Sequence, residues 1–209
     1  MSAIWTKICG ITRAEDAETA ARLGADAVGL VLYPASPRAV AVEQCQSLFG
    51  KLPAAVTRVA LFVDPAEALV RQAVESQCID LLQFHGSETE DFCLQFDLPY
   101  MKAVRVRDLE QAQAEIEQYP AAEKILLDKY QANVPGGTGK KFDWNIATKL
   151  VSANQQAIVL AGGLSPDNVQ AAIRQVGPFG VDISSGVESA PGVKDPELIK
   201  TFIELCKSV

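Results

Sequence analysis

Hydrophobic residues follow one repeating pattern along this chain. Short apolar runs rich in Val, Ile and Leu recur eight times, and each is followed by a turn and a segment with helical spacing. This order is typical of βα units, in which every strand leads into a helix. The predicted strands span residues 4–9, 27–32, 59–63, 81–84, 101–104, 124–128, 158–161 and 181–184.

The segments between these runs carry the signals of helix starts. Ser165 precedes Pro166 and Asp195 precedes Pro196, which places a capping residue before the residue whose fixed φ suits the first helical position. The predicted helices span residues 13–23, 42–52, 65–77, 88–96, 109–119, 143–151, 166–176 and 196–207.

The strand runs are almost continuously apolar, which indicates that both faces of the sheet are covered, as in a parallel sheet. An open doubly wound sheet usually stops at five or six strands. Eight units of about 26 residues favour a compact (β/α)₈ TIM barrel, although most such barrels are longer. No linker or low-complexity tract divides the sequence, so we expect one domain over residues 1–209.

Composition narrows the class of protein. With 19 basic and 26 acidic residues the net charge is −7, which disfavours general binding to nucleic acid or to an acidic membrane. No apolar stretch approaches the roughly 18 residues of a membrane span, and the first residues resemble neither a secretory leader nor a transit peptide. We therefore expect a cytoplasmic protein. Its five cysteines are scattered without a CxxC pair, which predicts reduced thiols and no zinc site.

Two loops near the end of the chain have the composition of a phosphate site. Gly162 and Gly163 follow the seventh predicted strand, and Ser184, Ser185 and Gly186 follow the eighth. These loops hold a phosphate in many barrels, because backbone N–H groups and hydroxyls can surround a dianion there. The alternative is that the glycines only permit tight turns.

Two further polar residues end predicted strands at the expected barrel mouth. Cys9 ends the first strand and is either an inert, small apolar residue or, because N–H groups and cations at the mouth would lower its pKa, a thiolate that acts as base or nucleophile. Asp128 ends the sixth strand and alternates with Lys129, so only one of the two can point inward. An inward Asp128 favours proton transfer, whereas an inward Lys129 favours Schiff-base chemistry.

Other charged residues are assigned by strand alternation and barrel closure. Lys7 shares a face with Cys9, and Asp182 lies on the eighth strand, so closure predicts a buried Lys7–Asp182 pair. His85 is the only histidine, which excludes a His-rich metal site and leaves a role at the mouth or in the structure. Arg38 is either a planar partner for a carboxylate or a solvated loop residue.

Eight ordered motifs resemble one enzyme family, the phosphoribosylanthranilate isomerases of tryptophan biosynthesis. The resemblance covers essentially the whole chain. The motifs are KICGIT (7–12), SPR (36–38), VALFVD (59–64), QFHG (83–86), LLDK (126–129), GGTGKKFDW (136–144), AGGLSPDNV (161–169) and VDISSGVESAPGVKD (181–195).

The resemblance implies a small (β/α)₈ barrel with no metal or organic cofactor. It implies an Amadori rearrangement of N-(5-phosphoribosyl)anthranilate, a phosphorylated small molecule, to 1-(2-carboxyphenylamino)-1-deoxyribulose 5-phosphate. Carried to this chain, it makes Cys9 the general base and Asp128 the general acid, and it turns Arg38 toward the anthranilate carboxylate. Lys7, His85, Asp182 and Gly137 are further expected substrate-binding residues.

The implied chemistry makes opposite demands on the two catalytic groups. A carboxyl group that donates a proton needs a pKa raised by burial, whereas a thiol that accepts one needs a lowered pKa. Lys140 and Lys141 add positive potential, and residues 136–139 are expected to form a lid by their flexibility.

Three alternatives stay open at this point. The sugar-phosphate isomerase of histidine biosynthesis is expected to use two carboxylates, a Schiff-base lyase would use Lys129, and a non-catalytic barrel would only bind a phosphorylated ligand. The sequence also leaves open whether the protein is a monomer or a homodimer.

Overall fold

Eight parallel strands close into a barrel in a computed structural model of the chain, which describes residues 4–129 and 143–209. Each strand pairs with the next along the chain, and β8 pairs with β1 to close the sheet. The predicted TIM-barrel architecture is confirmed. The barrel strands are β1 Trp5–Cys9, β2 Ala27–Val31, β3 Thr57–Phe62, β4 Leu81–Phe84, β5 Tyr100–Val106, β6 Lys124–Lys129, β7 Ala157–Leu160 and β8 Gly180–Ile183.

Helices follow the strands and cover the outside of the barrel. They are α1 Ala14–Leu23, α2 Cys45–Phe49, α3 Glu67–Glu75, α4 Glu90–Cys93, α5 Leu109–Ile116, α6 Trp144–Ala153, α7 Val169–Val176 and α8 Pro196–Lys207. A short antiparallel hairpin, β9 Glu188–Ala190 and β10 Val193–Lys194, follows β8 and was not predicted.

Strand alternation divides the core into two parts, because successive side chains point to opposite faces of a strand. Inside the barrel lie small and medium apolar residues such as Val59, Met101 and Leu126. The larger cluster, which includes Leu127, lies between the strands and the helices. Asp128 therefore follows Leu126 toward the interior, while Lys129, the last residue of β6, also reaches the barrel mouth, so the expectation that only one of the two faces inward does not hold at the strand end.

Several predicted helices differ from the structure in their bounds, and three of them illustrate why. The second begins as a 3₁₀ turn, Val42–Gln44, before α2. The fourth is shorter than predicted because Glu88 is buried against Lys102, and Thr89 caps the helix by accepting from the Phe92 N–H. The seventh begins at Val169, three residues after the predicted start at Pro166.

The described residues contain neither a membrane-spanning helix nor a candidate metal site. Within residues 4–129 and 143–209, no helix is long and apolar enough to cross a membrane. The same ranges contain no group of three His, Cys, Asp or Glu side chains arranged to hold a metal ion. All five cysteines are buried and free.

Candidate active site

A cavity of about 600 Å³ opens at the carboxyl ends of the strands, where TIM barrels place their catalytic residues. Most of the site residues predicted from the sequence meet in its wall. Those that line it are Cys9, Arg38, His85, Asp128, Gly162, Gly163, Asp182, Ser184, Ser185 and Gly186. The expected substrate contact Gly137 and the expected lid at residues 136–139 lie outside the described residues, as do Lys140 and Lys141.

Lys7 lies beneath this cavity, completely buried, and forms the predicted ion pair with Asp182. Its Nζ lies 3.0 Å from Asp182 Oδ1, across the seam where β1 and β8 close the barrel. Burial alone would lower the pKa of Lys7, but Asp182 and Cys9 raise it above its usual value. Lys7 therefore stays charged under the floor of the cavity.

Cys9 reaches the cavity from β1 although only 5% of it is exposed. Gly29, its neighbour on β2, makes room for the thiol. A methyl group at Gly29 would lie 3.1 Å from Cys9 Sγ and 3.2 Å from Lys7 Nζ. Sequence analysis missed Gly29, because an isolated glycine in a strand does not reveal which side chains fill its space.

The expectation that the surroundings lower the pKa of Cys9 is wrong for this structure. Burial of the thiol raises its pKa, and the charge of Asp182 adds to that effect. Lys7 and Lys194 oppose the shift without reversing it. Lys7 does not reverse the shift because it is itself paired with Asp182, so its positive charge is largely compensated.

Asp128 enters the cavity from β6 and has two hydrogen-bond partners. Its Oδ2 lies 3.0 Å from His85 Nε2, and its Oδ1 accepts from the Lys129 N–H at 2.7 Å. Gly162 lies so close that a methyl group there would be 2.8 Å from Asp128 Oδ1. His85, predicted to line the mouth and touch substrate, thus also contacts the candidate acid directly.

The loop that carries His85 is anchored from outside the barrel by two residues that sequence analysis missed. Lys102 is completely buried and donates to the Gly86 carbonyl at 2.6 Å and to Glu88 at 2.8 Å. Glu88 also accepts from the Asp64 and Gly86 N–H groups. This charge-assisted network fixes the ends of β3 and β4 relative to each other.

Arg38 borders the cavity with one edge of its guanidinium already paired. Its Nε and Nη2 lie 2.7 and 2.6 Å from the two oxygens of Glu188, a residue on β9. Lys194 on β10 donates to the same carboxylate at 2.7 Å. Burial alone would raise the pKa of Glu188, but these two cations lower it. Glu188 was not singled out in the sequence, because it lies 150 positions from Arg38.

The two phosphate-site loops meet beside these residues. Gly162 and Gly163 have φ values of +80° and +81°, and a methyl group at Gly163 would meet no atom within 4 Å. The Gly163 backbone is therefore open to a ligand. Asn168 braces this loop, since its side chain donates to the Gly163 carbonyl and accepts from the Ser165 N–H, both at 2.9 Å.

Comparison with known proteins is consistent with this geometry. The family model described as N-(5'-phosphoribosyl)anthranilate (PRA) isomerase matches residues 6–205. The isomerase of that name from Pseudomonas putida strain GB-1 is 49% identical over 207 residues, which cover 99% of both chains.

Solved structures give the same result. Phosphoribosyl anthranilate isomerase from Thermotoga maritima matches with a TM-score of 0.90 and 38% identity, covering 99% of this chain and all of that one. A phosphoribosyl anthranilate isomerase in complex with reduced 1-(o-carboxyphenylamino)-1-deoxyribulose 5-phosphate matches with a TM-score of 0.87 and 36% identity, with the same coverage. A further solved structure, of monomers generated from the Thermotoga maritima enzyme, describes that enzyme as dimeric.

Proposed function

The chain belongs to the N-(5'-phosphoribosyl)anthranilate isomerase family and catalyses that isomerisation in tryptophan biosynthesis, and we propose that Cys9 is its general base and Asp128 its general acid. One observation carries this assignment. The two side chains reach a single cavity from β1 and β6, beside loops suited to a phosphate.

Asp128 begins the reaction from its protonated form. It donates its proton to the ring oxygen of the ribose, the bond from that oxygen to C1 breaks, and the nitrogen lone pair completes an iminium ion. The carboxyl group becomes a carboxylate, which His85 and the Lys129 N–H then stabilise by donating hydrogen bonds.

Cys9 acts on the open-chain iminium. Its thiolate removes the proton from C2, and the released electron pair neutralises the iminium nitrogen to give an enolamine. The enolamine then tautomerises to the ketone of the product. The raised pKa of Cys9 makes the thiolate a minor form, contrary to the lowered pKa expected of this base, but each thiolate that forms is a strong base for the C2 proton.

Binding and chemistry use different parts of the cavity. The phosphate is held by the backbone of Gly162, Gly163 and Gly186 with the hydroxyls of Ser184 and Ser185. Arg38 offers its remaining N–H groups to the anthranilate carboxylate while Glu188 fixes its plane.

Lys7 and Asp182 support the floor of the cavity. Lys7 is fully buried and is not in the cavity wall, so it acts through Cys9 and Asp182 rather than by touching substrate. Asp182 lines the cavity and can accept a hydrogen bond from a sugar hydroxyl there.

Residues 1–209 are proposed as one catalytic domain that works in the cytoplasm as a monomer or a homodimer. The dimeric state described for the Thermotoga maritima relative supports testing the second form. Light scattering on the purified chain at assay concentration separates the two forms.

The decisive assay follows the fluorescence of the ribosyl anthranilate substrate. We expect the purified protein to consume it without an added metal or cofactor. Tight binding of the phosphorylated substrate without turnover would instead identify a binding protein, and preferential turnover of the histidine-pathway substrate would reassign the enzyme.

A further inference from the structure

Gln83 is a completely buried polar side chain at the inner end of the cavity, on β4. It is also the one described residue whose side chain contains a buried polar atom without a hydrogen-bond partner, its Oε1. Leaving a buried amide oxygen unpaired destabilises the folded state. An apolar side chain at this position would avoid the unpaired oxygen. The presence of an amide there therefore calls for an explanation.

The other end of the amide has a partner. Gln83 Nε2 lies 3.2 Å from His85 Nδ1, and an amide NH₂ group only donates. Nδ1 of His85 must then be the acceptor, and the ring proton is on Nε2. That proton points at Asp128 Oδ2, 3.0 Å away, so Gln83, His85 and Asp128 form one chain of hydrogen bonds.

This chain has a second arrangement with all its contacts intact. If the amide rotates by half a turn, Oε1 accepts from a proton on Nδ1, and Nε2 of His85 becomes an acceptor for a protonated Asp128. Glutamine is suited to both arrangements because its side chain carries a donor and an acceptor of nearly equal size.

We propose that Gln83 is a positioning residue that lets His85 keep its hydrogen bond to Asp128 whether that carboxyl group is protonated or ionised. The proposal rests on the role of Asp128 as general acid, because only a group that gains and loses a proton in every turnover needs both arrangements. The unpaired Oε1 is then the half of the amide that serves the protonated state.

Charged groups surround this chain on several strands. Arg105 on β5 donates to the His85 carbonyl at 3.2 Å, and Asp182 on β8 interacts electrostatically with both His85 and Asp128. None of these contacts reaches Nδ1, which has Gln83 as its partner. Changes at Gln83 should therefore act on the ring through this one nitrogen.

His85 is the only histidine in the chain, so its ring can be observed without assignment. In protein labelled with ¹⁵N-histidine, long-range ¹H–¹⁵N spectra at pH 8 report which ring nitrogen carries the proton. We expect a single neutral species protonated at Nε2. A ring protonated at Nδ1 in the unaltered protein would overturn the proposal.

Two variants test the function of the amide. Gln83→Leu removes both the donor and the acceptor and leaves His85 Nδ1 without its partner, but this nitrogen belongs to a side chain that lines the open cavity, so the fold should hold. It should lower kcat roughly 10- to 100-fold with KM changed less than twofold, because the protonated state of Asp128 loses its support. Gln83→Glu, when ionised, offers only an acceptor, which should move the ring proton of His85 to Nδ1 and also lower kcat.

Gln156→Leu is the matched control. Gln156 precedes β7 at the opposite end of the barrel, where its amide donates to the carbonyls of Tyr119 and Ala122. This variant loses hydrogen bonds outside the site, so kcat and the His85 spectrum should not change.

The outcomes separate this proposal from the assignment of the acid. A kcat within twofold of the unaltered enzyme in Gln83→Leu, or an unchanged His85 spectrum in Gln83→Glu, would refute the role of Gln83. Full activity in Asp128→Asn would instead refute the role of Asp128 as acid. The spectra of His85 would then describe only the hydrogen bonds of its ring.

Discussion

Cys9 illustrates how strongly the properties of one residue depend on its neighbours. Its sulfur is packed against the space left by Gly29, above a lysine whose charge is compensated by Asp182. Burial outweighs that lysine and raises the pKa of the thiol. The thiolate is therefore a minor species at neutral pH.

Alkylation tests this property of Cys9. Since only the thiolate reacts and its fraction rises tenfold per pH unit below the pKa, inactivation by iodoacetamide should accelerate close to tenfold per unit from about pH 7 to 9. Mass spectrometry of the Cys9 peptide measures the rate. Burial also raises the pKa of Cys45 to about 11 and of Cys206 to about 12, so these thiols should react slowly. A plateau at or below pH 8 would show that the pKa is lowered.

Arg38 is the second residue whose role can be isolated. Arg38→Ala should weaken binding of a carboxylate-bearing product analogue by about 10- to 100-fold, since a charge-assisted hydrogen bond contributes about 1.5–3 kcal/mol. Arg38→Lys should restore only part of this affinity, because an ammonium group lacks the planar fork. Calorimetry with the analogue and with inorganic phosphate distinguishes the two ends of the substrate. Equal loss of phosphate affinity would place Arg38 at the phosphate or in the fold.

At the scale of elements, the carboxyl ends of the strands place functional side chains at the barrel mouth. Contacts between neighbouring strands hold these side chains in position. The pairing of Cys9 with Gly29 joins β1 to β2, and the Lys102–Glu88 network joins the ends of β3, β4 and β5. The hairpin of β9 and β10 brings Glu188 and Lys194 to Arg38. The catalytic geometry thus depends on contacts between strands as well as on the residues at their ends.

Gly29→Ala tests the contact between β1 and β2. The added methyl group would force Cys9 and Lys7 to shift by a few tenths of an ångström. Such overpacking costs roughly 1–3 kcal/mol, and kcat should fall because the thiol moves from its position. Urea unfolding and steady-state kinetics measure the two effects.

The double variant Cys9→Ala with Gly29→Ala provides the control for overpacking. Removing the sulfur frees the space that the new methyl group needs, so the loss in stability should be smaller than the sum of the two single variants. Strictly additive losses would show that Gly29 and Cys9 do not share this space.

Much of this organisation could be predicted from local sequence. The apolar runs predicted all eight strands, and alternation with barrel closure predicted the Lys7–Asp182 pair. Contacts between distant residues were missed, because nothing near Glu88 or Glu188 indicates its cation. The pKa direction of Cys9 was wrong for a related reason, since it depends on burial and on Asp182.

At the scale of the whole molecule, the site departs from the average charge. The chain has a net charge of −7, yet the three cations that line the cavity, Arg38, Arg105 and Lys129, outnumber the two carboxylates there, Asp128 and Asp182. A substrate with a phosphate and a carboxylate is therefore repelled by the protein at long range and attracted at the mouth. This local potential is what allows an acidic protein to bind a polyanionic substrate.

The central claim is that Cys9 and Asp128 perform the proton transfers, and the most direct measurement is kcat for Cys9→Ser and Asp128→Asn with the ribosyl anthranilate substrate. Each variant should lose roughly 10²- to 10⁴-fold in kcat while binding the product analogue with unchanged affinity, because neither replacement can exchange the required proton. A kcat near that of the unaltered enzyme in either variant, or a loss confined to KM, would contradict the assignment of that residue.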